Sequence, residues 1–255
     1  MDFLAGARDK LDRAKGHIAD FESHLTEFLR DHAYRLVPDP DSPSIRRAFL
    51  LRPEPIPGSL VCIVGDAVHN LRSALDHLAF LVAKHNGASK KVLRVVDFPT
   101  GKSSEDFAAT MVTKEVASIG RAWVDLLSAV EPFYGGKGEI LCVISALDNI
   151  DKHRNLLAHQ LLGDKYRFDG TKMVPIKRAV SLEGGLGSSL DANADNPTYT
   201  QVRVTINECT PGLDLSAWPQ DTLNSFAFSV GAVLGLAQTA TDKLFPLTPR
   251  SAASD

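Results

Sequence analysis

The sequence predicts a mostly α fold: an up-and-down bundle of about five helices with a small antiparallel β excursion before the last helix. Three observations carry that prediction. Apolar residues recur at spacings of three and four across several long windows. Proline and glycine clusters fall between those windows rather than inside them. One stretch, 165–210, instead holds short strand-like runs separated by Asp-Gly and Asn-Pro turns. A chain of 255 residues, 44% hydrophobic and 23% charged, suits one domain spanning 1–255, with 165–210 as a β-rich insertion within it.

Taken in order, residues 2–35 form the first predicted helix, because Leu4, Leu11, Ala14, Ile18, Phe21, Leu25 and Phe28 mark one stripe with Ala7 in its gap. Pro38, Pro40 and Pro43 end it, and residues 45–51 read as extended. Ser59 is a candidate cap for a helix over 60–84, apolar around much of its circumference and therefore central. Residues 92–99 read as extended. A helix over 104–130, broken near Ile119 and Gly120, and another over 139–162 follow. Candidate strands lie at 165–168, 172–177, 178–182 and 201–206, and a last helix covers 213–244.

Composition excludes several classes. A net charge of −3 and a pI near 6.2 give no footprint for broad nucleic-acid binding, though a local basic patch would suffice. Cys62 and Cys142 lie in apolar runs and read as small buried hydrophobes, and with Cys209 they form no disulfide framework. No signal-like leader and no membrane-length apolar run is evident, so a cytoplasmic location without membrane partners is expected.

The chemistry-bearing residues fall in two segments. Laying residues 66–77 on 148–159 aligns Asp66 with Asp148, Arg72 with Arg154, Leu75 with Leu157 and His77 with His159. On a continuous helix, Asp148, Asp151, Asn155 and His159 share one line, as do Asp66, His69, Ser73 and His77. Arg154 and His159 then stand about 140° apart and flank a cleft. Three readings follow. Arginine holds a phosphate while histidine moves a proton, with no metal needed when RNA supplies its own 2′-hydroxyl. Alternatively His69, His77, Asp66, Asp148, Asp151 and His159 ligate a divalent metal. In the third reading the polar network only fixes helix register.

The run Arg154-Asn155-x-x-x-His159 resembles the Arg-Asn-x-x-x-His signature of the HEPN superfamily of helical bundles, and Arg72-x-x-x-x-His77 resembles its broader form. The resemblance implies a metal-independent endoribonuclease without a cofactor, acting on RNA as a homodimer in toxin–antitoxin or phage-defence systems, where an antitoxin is a possible partner. It assigns Arg154 to the scissile phosphate, His159 to general acid/base catalysis and Asn155 to orientation, with Arg72 and His77 as the second pair. Some members of that superfamily are non-catalytic binding or structural modules.

Overall fold

The computed structural model describes residues 3–31, 34–38, 49–53, 56–153, 158–168, 173–175, 189–190, 198–206 and 219–245. Helix α1 (Ala5–Asp31) buries the stripe that its periodicity marks, from Leu4 through Phe28. That stripe packs along α2 (Gly58–His85), the helix around which the rest is arranged. Helix α2 is buried on most of its circumference, with Val64, Ala67, Val68, Leu71, Ala74, Leu75 and Leu78 fully enclosed. Each large apolar side chain so buried contributes about 1.5–3 kcal/mol relative to exposure. Pro57, not Ser59, is the N-cap of α2, and no side chain caps it.

Beyond α2 the helices are α3 (Lys90–Leu93), α4 (Ser104–Thr113), α5 (Val116–Ile119), α6 (Arg121–Val130), α7 (Glu139–His153), α8 (Pro219–Thr239) and α9 (Thr241–Leu244). The prediction of about five helices with a β excursion before the last is therefore wrong: nine helices occur among the described residues. The excess has a local cause. Glu115 (φ 52°) and Gly120 (φ 141°) turn the chain out of helix without interrupting its apolar periodicity, so residues 104–130 divide into α4, α5 and α6. Residues 92–99, expected to be extended, begin inside the short turn α3, where the Ser89 side chain accepts from the Val92 N–H at 3.2 Å.

Strand pairing is likewise not confined to one insertion. β1 (Tyr34–Pro38) and β2 (Phe49–Pro53) pair antiparallel before α2, and β5 (Ser189–Leu190) extends them into a sheet ordered β1-β2-β5. A second sheet, ordered β4-β3-β6, joins β4 (Met173–Pro175), β3 (Ala158–Phe168) and β6 (Thr198–Ile206), with Tyr166 opposite Tyr199 and Leu161 opposite Val204. The candidate strand at 178–182 lies outside the described residues. The helix predicted over 139–162 ends at His153, and from Ala158 the chain pairs with β6 instead. A partner strand overrides local helical periodicity there.

α7 and α8 both pack against α2, and α8 also lies against α1. Phe98 and Trp123 meet edge to face at 6.0 Å and close the α6 side of the core. Cys142 is buried, its thiol donating to the Gly101 carbonyl at 3.5 Å, and burial pushes that thiol up to about 11. Cys62, expected to be buried, is exposed, because it lies on the outward face of α2.

Candidate functional site

The polar residues of α2 divide between faces. Arg72 points toward α7 and the segment after α3, and its side chain is only 11% exposed. Its guanidinium donates from Nε to Asp76 Oδ2 at 3.2 Å, from one terminal nitrogen to Ser145 Oγ at 2.6 Å, and from the other to the Phe98 carbonyl at 2.9 Å. That last nitrogen also lies 2.8 Å from Asp76 Oδ1. Asp76 in turn accepts from the Phe98 N–H at 2.9 Å, so one turn of α2 engages both backbone polar groups of Phe98. Lys114 pairs with Asp97 beside it. Arg72 is thus a brace tying α2, α7 and the Phe98 segment together.

His77 does not join Arg72. It is exposed and faces α1, where a Cβ built on Gly6 would lie 3.3 Å from its Nδ1. Five positions along α2 rotate it about 140° from Arg72. The second expected arginine–histidine pair is therefore not assembled. Arg154 and Asn155 lie outside the described residues. His159 lies on β3 rather than on the helix that its motif implied, and its backbone sits at the bulge between Ala158↔Ile206 and Gln160↔Thr205.

What α2 and α7 do bring together is a histidine–aspartate pair. The His69 Nδ1–H donates to Asp148 Oδ1 at 3.0 Å, which leaves Nε2 outward, with the Ser73 hydroxyl 3.5 Å away. The two side chains differ sharply in access: 5% of Asp148 is exposed against 47% of His69. Lys152, one turn along α7, donates to the other Asp148 oxygen at 2.6 Å. Both oxygens of the buried carboxylate are therefore satisfied. A buried acceptor that fixes a half-exposed imidazole ring is an arrangement that holds histidine ready for proton transfer.

Asp151 sits against α2 at its closest approach. A Cβ on Gly65 would fall 2.5 Å from Asp151 Oδ1, so glycine at that position is what lets the carboxyl reach the helix. Burial raises the Asp151 carboxyl above its ordinary value of 3.8, and Asp148 and Asp66 raise it further, against smaller opposing effects of His69 and Lys152. Asp66 itself is exposed. Of the six residues of the metal reading, His77 is turned away and Asp148 is engaged by His69 and Lys152. Among the described residues no group of three or more His, Cys, Asp or Glu side chains is placed to hold a metal.

The sequence placed His69 on the line of Asp66, Ser73 and His77 and among the candidate metal ligands, without pairing it to Asp148. Its spacing from Asp148 across two helices left no signal of a pair, because the two residues are far apart in the chain. Fold and site together define a helical bundle with a histidine–aspartate pair at the seam of its central helix and α7. Comparison of the chain with protein-family models, with curated proteins and with solved structures found no match. No helix among the described residues is long and apolar enough to cross a membrane.

Proposed function

We propose that the chain is a metal-independent endoribonuclease of the HEPN-like type, working at the α2–α7 seam. The observation that supports it is the half-exposed His69 held by the buried Asp148. In this reading His69 Nε2 takes the proton of the RNA 2′-hydroxyl, whose oxygen attacks the adjacent phosphorus. Arg154, the residue that follows α7 in the chain, offsets the phosphate charge, and Asn155 orients it. His159, on the strand β3 that makes contact with α2, returns a proton to the departing 5′-oxygen. The products are a 2′,3′-cyclic phosphate and a 5′-hydroxyl. A cytoplasmic homodimer in a toxin–antitoxin or phage-defence setting accompanies this reading.

The test is cleavage of an end-labelled single-stranded RNA by purified protein in excess EDTA. His69→Gln and Arg154→Ala are each expected to lower the rate by about 100-fold or more while leaving the far-UV spectrum unchanged. RNA left intact by the wild-type chain, or cut equally well by both variants, overturns the reading. A second reading, a non-catalytic helical binding or structural module, is favoured by the internal engagement of Arg72 by Asp76, Ser145 and Phe98. It predicts intact RNA throughout.

A further inference from the structure

A cleft of about 710 Å³ lies away from the histidine–aspartate pair, between α6, the end of α8 and α9. Its volume falls within the range of small-molecule sites. One wall is the start of α6. Gly120 is the N-cap of that helix and has no side chain with which to cap it. The first α6-region N–H with a backbone acceptor is that of Val124, which donates to Gly120 O at 3.3 Å. The N–H groups of Arg121, Ala122 and Trp123, all lining the cleft, have no acceptor among the described residues. A second observation is independent of the first. Trp123 is 1% exposed, and its indole Nε1–H is the one buried side-chain polar atom without a partner among the described residues. Buried donors without acceptors are rare and costly. Apolar residues continue the wall, with Leu126 and Ala129 on α6 and Leu236 on α8, the last still 48% exposed.

We propose that this cleft binds a small amphipathic molecule with an apolar body and a single carboxylate. The carboxylate sits at the N-terminus of α6 and accepts from its free N–H groups, and the apolar body lies over Leu126, Ala129 and Leu236. Charge decides between a singly and a multiply charged head. Arg121 pairs with Asp125 at 2.8 Å, and Lys243 is offset by its neighbour Asp242 on the same rim, so the side chains sum to nothing. What remains is the helix terminus, equivalent to about half a positive charge. That favours a monoanion and does not suffice for a di- or triphosphate.

The test uses octanoate as probe and 1-octanol as its uncharged counterpart, read by nitrogen–proton NMR. The chain has two tryptophans, so Trp218→Phe leaves the Trp123 indole signal alone. Octanoate is expected to shift that signal and the Arg121–Trp123 amides together and saturably, with octanol binding roughly tenfold more weakly. Ala129→Trp, a change at an exposed position, is expected to fill the cleft and abolish the shifts. Lys243→Gln is expected to weaken octanoate and leave octanol unchanged. Absence of a saturable shift, equal affinity for the two probes, or undiminished binding by Ala129→Trp overturns the proposal.

Discussion

Replacing Arg72 by alanine separates a brace from a catalytic group. The side chain links α2 to α7 through Ser145 and to the Phe98 peptide, while Asp76 fixes its fork from the same helix. Removing one partner of a buried ion pair costs about 3–5 kcal/mol. Asp76 retains some solvent contact at 34% exposure and still accepts from the Phe98 N–H, so the lower end applies. We expect a loss of about 3 kcal/mol, a fall of roughly 1 M in the urea midpoint for a chain of this size. Arg72→Lys restores the charge but not the planar fork and is expected to recover about half of that loss. The assay is equilibrium urea unfolding followed by tryptophan fluorescence in the Trp218→Phe background, where Trp123 reports its contact with Phe98. Cleavage per folded molecule is measured on the same preparations and is expected to be unchanged. A variant with an unshifted midpoint refutes the brace, and one that folds normally but loses cleavage places Arg72 on the substrate.

Two further predictions concern the seam. In a helix interior, Gly65→Ala alone would gain up to about 1 kcal/mol in propensity. The new methyl meets the Asp151 carboxyl at 2.5 Å, so that gain is expected to emerge only when Asp151→Ala is combined with it. A double-mutant cycle is expected to give a coupling of about 1–3 kcal/mol, and a coupling near zero refutes the close approach. For Asp151 the folded carboxyl lies above its unfolded value of 3.8, so the native state holds the extra proton over the interval between them. Wild-type stability is therefore eroded as pH rises through that interval. Relative to wild type, Asp151→Asn is expected to grow more stable across it and then level off. A flat difference, or one of opposite sign, refutes the assignment.

Much of the helical part was legible because a buried stripe imposes its period on the sequence. Every apolar position read for α1 is buried, from Leu4 to Phe28, and α2 proved central as its broad apolar circumference implied. Breaks were less legible. Glu115 and Glu131 both adopt positive φ, a conformation with no glycine to announce it. The break near Ile119 and Gly120, by contrast, was legible, since Gly120 (φ 141°) separates α5 from α6 there.

The site was legible in its residue types and not in its partners. Extending the α7 period through residue 162 put Asp148, Asp151, Asn155 and His159 on one line, a construction that requires unbroken helix. With His159 on β3, that line does not reach its last member on one helix, and Asn155 lies outside the described residues. On α2 the helix is continuous, and there the same geometry separates Arg72 from His77 by sending one to α7 and the other to α1. Pairing across helices depends on crossing geometry, which one sequence does not encode locally. His69 meets Asp148 because Gly65 lets α7 come close one turn earlier on α2, admitting Asp151 on the same face of α7. The glycine, silent in a search for chemistry-bearing residues, sets the distance at which the histidine and the aspartate meet.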